Sequence, residues 1–148
     1  MKKFSFKLET VLKLKEKILN DKMLELAKIM RILSDARDTL NVINQKRTDA
    51  SDDIAESNSD GKEIDVKSVE MYRNYLTKLD AEIKNQEHLI IQIQRAVEDK
   101  QREVNEALKE RDILKKLKEK QLQKHNAEID HKERVELDDM AISRYKAS

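Results

Sequence analysis

Apolar residues recur along this chain in alternating steps of four and three. Counted from Leu8, the steps fall on 8, 12, 15, 19, 22, 26, 29, 33, 36, 40, 43, 47, 50 and 54, and eleven of these fourteen positions are apolar. Leu8, Leu12, Leu19, Leu26, Ile29, Leu33, Ala36, Leu40, Ile43, Ala50 and Ile54 form the ladder; Lys15, Lys22 and Arg47 interrupt it. Such spacing puts one apolar seam along a helix and is the signature of a coiled coil. A second ladder starts at Val69, with Tyr72, Leu76, Leu79, Ile83, Ile90, Ile93, Val97, Val104, Ala107 and Leu114. Gln86, Lys100 and Arg111 interrupt that one.

Between the ladders lies "AESNSDGKEIDVK", residues 55–67, which holds the only glycine, Gly61. Ser, Asn, Asp and Gly favour turns because they tolerate left-handed backbone angles or bond their own backbone. Asp60 and Glu63 stand in capping-box spacing, and Asp65 is a second candidate N-cap. Two seams of equal length joined by a short break predict an all-α fold, a long antiparallel two-helix coiled-coil hairpin. Helix one is expected over about 4–56, the turn over about 57–65 and helix two over about 66–144, all in one domain. Leu8 then lies near Leu114, and Ile54 near Val69. A parallel dimer of one continuous helix is the competing arrangement; the turn and the matched ladders disfavour it.

Beyond Leu114 the same register reads Lys118, Gln121, His125, Glu128 and Lys132. Leu117, Leu122, Ile129, Val135, Leu137, Met140 and Ile142 remain, scattered rather than aligned. Helix two is therefore expected to outrun helix one by up to ~45 Å, the seam ending where helix one has no more residues to offer. Exposed Leu117, Leu122 and Ile129 leave self-association open.

Composition agrees with this reading. The 148 residues include no proline, cysteine or tryptophan, 41 % are charged and only 3 % aromatic. A globular core would need more aromatic bulk, and disorder would need fewer regularly spaced apolar residues. A net charge of +1 gives no general pull toward nucleic acid or membrane. The longest aliphatic run is "LII" at 89–91, far short of the ~20 residues that span a bilayer. No targeting segment is visible, and the absence of cysteine fits a reducing compartment.

Charge is unevenly placed. Lys2, Lys3, Lys7, Lys13, Lys15 and Lys17 crowd the N-terminus; Arg111, Lys115, Lys116, Lys118, Lys120 and Lys124 crowd the stretch opposite. The turn region 49–65 is acidic, and so is 128–139, through Glu128, Asp130, Glu133, Glu136, Asp138 and Asp139. The predicted hairpin has an acidic turn, a basic open end and an acidic extension, a layout that discriminates partners through complementary potential.

Catalytic chemistry has no support. There is no P-loop, no HExxH and no cysteine nucleophile, and the many carboxylates lie on convex solvated faces. No catalytic residue, cofactor or metal is expected. His125, Glu128 and His131 follow at three-residue spacing, but the two histidines then stand about 120° apart on the helix, so solvated side chains are favoured over ligands. The basic end lacks aromatic base-stacking residues other than Phe4 and Phe6, so an acidic protein surface suits it better than nucleic acid. Tyr72 falls on the seam, where packing is expected. Tyr75 stands one position before it, where packing and partner contact are evenly matched.

An ordered set of segments carries a family resemblance. "FSFKLETVLKLK" opens helix one, "YRNYLTKLDAEI" follows the turn, and "ERDILKKLKEKQLQKHNAE" precedes "KERVELDDMA". In that order, from Phe4 to about Ala141, the chain resembles the FliJ family, the stalk-like component of the bacterial flagellar type III export apparatus. The resemblance implies a hairpin similar to the central shaft of rotary ATPases. It implies that the open end enters the flagellar export ATPase ring and promotes ring assembly and ATPase activity. A surface nearer the turn would contact the membrane export gate protein, and export chaperones would be further partners. The protein would then be cytoplasmic, held at the inner face of the cell membrane through the export apparatus without inserting into it. Positions matching the gate-contacting surface are Ile43, Tyr75 and Leu79, while Thr39, Lys46 and Ala50 depart from the family's types there. The expected ring-facing residues are Lys115, Lys116, Lys118, Lys120 and Lys124, with Glu133, Glu136, Asp138 and Asp139. The alternatives are the stalk of a non-flagellar type III secretion system and a coiled-coil spacer with no ATPase partner.

Overall fold

The computed structural model describes residues 3–59 and 66–147. Two helices account for nearly all of them: α1, Glu9–Ser59, of 51 residues, and α2, Val66–Ala147, of 82 residues. They pack against each other as a two-helix coiled-coil hairpin, and no strand occurs among the described residues. Gly61, the Asp60–Glu63 capping box and the Asp65 cap lie outside the described residues.

The chain divides into two units. The first joins Met1–Asp21 with Val104–Ser148; the second is Lys22–Glu103. In the first, Glu9 pairs with Lys118 and Lys15 with Glu110, so partner numbers fall as α1 numbers rise. The second does the same, through Lys22–Glu103, Glu25–Lys100 and Arg47–Asp80. Each unit is antiparallel.

Burial follows the two ladders. Leu12, Leu19 and Ala107 are buried in the first unit; Leu33, Ala36, Ala50, Leu79, Ile90 and Val97 are buried in the second. Leu33, Ala36, Ile90 and Val97 form one cluster, flanked by Leu26, Ile29, Leu40 and Ile93. Among the described residues, Phe6 is the one buried side chain that belongs to neither ladder.

The six polar interruptions of the seams all find partners. Lys15 reaches Glu110 at 2.9 Å and Lys22 reaches Glu103 at 3.3 Å. Arg47 pairs with Asp80, and the Gln86 side-chain amide donates to the Ala36 carbonyl at 2.9 Å. Lys100 bonds Glu103 at 2.7 Å and Glu25 at 2.8 Å. Arg111 instead holds its neighbour Asp112 at 2.8 Å. A polar residue on a seam weakens burial but admits only registers that supply its partner, so the five with a partner on the other helix specify alignment.

One expectation is corrected at the N-terminus. Helix one was expected from about residue 4, yet α1 starts at Glu9, and residues 3–8 are not helical. The Phe6 carbonyl accepts from the Glu9 N–H at 3.1 Å, and the Leu8 carbonyl accepts from Leu12 at 2.8 Å. Phe6 is 6 % exposed, and the Phe4 ring packs on His125 with centroids 5.6 Å apart. Side chains two apart stand about 200° apart on a helix, so a helical start would turn the two rings to opposite sides, whereas the non-helical start leaves Phe6 buried and Phe4 on His125. Glu9 then occupies the first turn, where its charge complements the helix dipole.

Candidate interaction surfaces

α2 supplies the residues expected to face a ring. Lys115, Lys116, Lys120 and Lys124 are exposed; Lys118 is half-buried, its ammonium 2.7 Å from the Glu9 carboxylate. Lys118 thus continues the seam register in charged form, and structure accounts for it before any partner does. At 100° per residue Lys116, Lys120 and Lys124 fall within about 80° of one another, and the four exposed lysines together cover about half the helix circumference. Glu133, Glu136, Asp138 and Asp139 are exposed and more widely dispersed, within a stretch where every side chain from Asp130 to Ala147 is exposed. Arg144 and Lys146 end α2 with the charge its C-terminus favours.

The intramolecular contacts run further along α2 than the apolar ladder does. Helix two was expected to outrun helix one once the seam ended at Leu114, and both histidines were expected to be solvated. His125 is half-buried beneath Phe4, so the segment exposed all round begins later. Counting seam residues on helix one missed this because the contact comes from outside that helix. The Phe-x-Phe spacing just before the first ladder was the signal, since alternate residues share a face only in extended backbone. No group of three or more metal-ligating side chains occurs among the described residues, and no helix there is long and apolar enough to cross a membrane.

The residues expected at a gate surface occupy different depths. Leu79 is 2 % exposed, the most completely buried large side chain described. Ile43 is half-buried on the facing seam. Tyr75 alone presents substantial surface, at 41 %. Tyr72, expected within the seam, is 40 % exposed, so it packs there only in part. Thr39, one of the departures, turns its hydroxyl onto the Asp35 carbonyl of its own helix at 3.0 Å. Leu79 and Ile43 therefore serve the packing of the hairpin, and Tyr75 is the accessible residue of the three.

Electrostatics is concentrated at one charged cluster in the second unit. The Lys100 ammonium, hydrogen-bonded by Glu103 and Glu25, is pushed up to about 12. The same bonds hold the Glu25 and Glu103 carboxyls below their ordinary value, Lys100 acting on both and Lys22 also on Glu103. Arg47 is raised by its hydrogen bond to Asp80. All these groups are cross-helix ties rather than members of a reactive site.

A family model described as "Flagellar FliJ protein" matches residues 4–148. No curated protein and no solved structure matches the chain.

Proposed function

The chain belongs to the FliJ family, and from that membership, which implies a component of the flagellar export apparatus, we propose that it acts as the stalk of that apparatus. The family is structural rather than enzymatic. In this reading the open end of the hairpin enters the export ATPase ring, promoting ring assembly and ATP hydrolysis by the ring subunits. The opposite end links the ring to the membrane export gate, and emptied export chaperones are escorted by the same protein. It works in the cytoplasm, at the inner face of the membrane.

The observation that carries this reading is the end of α2. Beyond Ile129 its side chains are exposed on every side and densely charged. A partner approaching from one direction needs one stripe; a ring encloses the helix and meets all its faces. Lysines 115, 116, 120 and 124, over about half the helix circumference, with the more widely dispersed Glu133, Glu136, Asp138 and Asp139, give polar contacts that re-form as subunits change shape. At the gate end, Tyr75 is the contact residue, with Ile43 and Leu79 packed in the hairpin. An exposed tyrosine supplies a large amphipathic face at little entropic cost.

The test is hydrolysis by the matching export ATPase with three forms of the chain: full length, ending after Asn126, and carrying Lys→Glu at 115, 116, 120 and 124. Ending there retains the Phe4–His125 and Glu9–Lys118 contacts, so a loss is not a folding defect. Both altered forms should stimulate less at unchanged helicity. Full stimulation by both would refute ring insertion through this end.

A further inference from the structure

Each seam in the first unit is bordered by a stripe lying one residue before it. On α1 the stripe is Lys7, Val11, Leu14, Ile18 and Asp21, beginning just ahead of the helix; on α2 it is Glu106, Glu110, Ile113, Leu117, Lys120 and Lys124. In an antiparallel pair the two helices are related by a local twofold axis perpendicular to their common plane. Stripes displaced the same way from their seams therefore emerge on the same side. The Lys15–Glu110 bond crosses between the helices at this edge.

The face so formed has an order. From the open end inward it is basic, with Lys124, Lys120 and Lys7; then apolar, with Leu117, Val11, Ile113, Leu14 and Ile18; then acidic, with Glu110, Glu106 and Asp21. Its apolar centre is uncovered: Leu14 is 54 % and Ile113 67 % exposed, and Val11 and Leu117 are also open. Leu14 lies opposite Ile113 in the register set by Lys15–Glu110 and Glu9–Lys118. Lys7 and Asp21 stand one heptad either side of Leu14; Lys120 and Glu106 stand one heptad either side of Ile113.

This sequence of charges is its own complement when reversed. We propose that the face is a self-association surface, on which a second copy of the chain lies antiparallel about a twofold axis passing over Leu14 and Ile113. The axis sets Leu14 on Leu14, Ile113 on Ile113 and Val11 on Ile18 of the second copy. Lys7 meets Asp21 there, and Lys120 meets Glu106. Leu117 lies on the methylenes of Glu110, whose carboxylate Lys15 already neutralises. An isologous contact of this kind closes after two copies and leads to no fibre. A face about 25 Å long and two helices wide buries on the order of 1,000 Å² in total, at the low end for specific association. The dimer is accordingly a weak, reversible one. It covers Lys120 and Lys124, so pairing and ring entry would exclude each other, but the pairing itself does not rest on the ring reading.

The experiment uses the full-length protein alone, so its failure leaves the ATPase test untouched. Sedimentation equilibrium should show the weight-average mass rising with concentration from 17.4 kDa toward twice that value. K120E should weaken association about tenfold, and E106K added to it should restore the pairing. The chain has no cysteine, so single substitutions report geometry without background. Under mild oxidation L14C, and separately I113C, should form disulfide-linked dimers, while E16C, about 200° from Leu14 on α1, should not. A mixture of K7C and D21C chains should cross-link to each other in preference to either alone. A mass fixed at 17.4 kDa throughout, E16C cross-linking as fast as L14C, or K7C preferring itself over D21C would overturn the proposal.

Discussion

Leu79 separates two roles that one position could play, a seam residue or a contact for a partner. At 2 % exposed it is closed to any partner that leaves the hairpin intact. Leu79→Ala removes the equivalent of three buried methylene or methyl groups, about 2.4 kcal/mol of transfer free energy at ~0.8 kcal/mol each. A cavity term adds to this where the surroundings cannot close. Core Leu→Ala changes span roughly 2–5 kcal/mol, and a two-helix seam collapses more readily than a globular core. The expected loss is thus about 2–3.5 kcal/mol, or roughly 6–10 °C in Tm for a chain of this size. Circular dichroism during urea and thermal unfolding measures it, with Tyr75→Ala as the comparison. Tyr75, at 41 % exposed, should cost under about 1 kcal/mol while weakening gate binding. A stability change below about 0.5 kcal/mol for Leu79→Ala would refute its placement in the packed seam.

Two further outcomes test the charged ties and the N-terminal segment. Glu25 and Glu103 have depressed pKa values, chiefly through Lys100, so the unfolded chain binds more protons below the ordinary carboxyl range. Their contribution is present above the unfolded value of 4.5 and is lost as pH falls through the folded values. Urea midpoints should therefore fall between neutral pH and about pH 3, and the double variant E25Q/E103Q should flatten that slope. Lys100 works in the opposite direction: its contribution is complete below 10.5 and is lost as pH rises through about 12. Phe6→Ala should release residues 3–8 without melting α2, because ordering six residues costs several kcal/mol and two rings supply most of what opposes it. Hydrogen exchange should show protection lost at Glu9 and Leu12 but retained around Ala107; retained protection at Glu9 would count against the role of the ring.

Much of the fold was legible because a coiled coil writes its packing into a one-dimensional period. Every buried ladder residue lies where steps of four and three put it, and the polar interruptions were visible as the same count's exceptions. Their partners were not. Lys100 and Glu103 stand three apart on one helix, but whether Lys100 also meets Glu25 depends on how far one helix slides along the other, and spacing within each helix cannot fix that offset. The surface at Tyr75 was half legible: the tyrosine's place beside the seam could be counted, while the relative depths of Ile43, Tyr72 and Leu79 depended on how closely the helices approach.

By itself the sequence determined two long helices, one buried stripe on each and an excess of α2 over α1, since these depend only on helical geometry and the places where apolar residues recur. Only the tertiary structure decided that Phe4 and Phe6 stay outside α1, that Phe6 is buried, that Lys118 is tied to Glu9, and that His125 carries the Phe4 ring. It also decided that two stripes far apart in the chain, one around Leu14 and one around Ile113, share a face. The physical reason is common to all of these: each depends on the register between segments about a hundred residues apart, which packing across the interface selects and local periodicity does not encode.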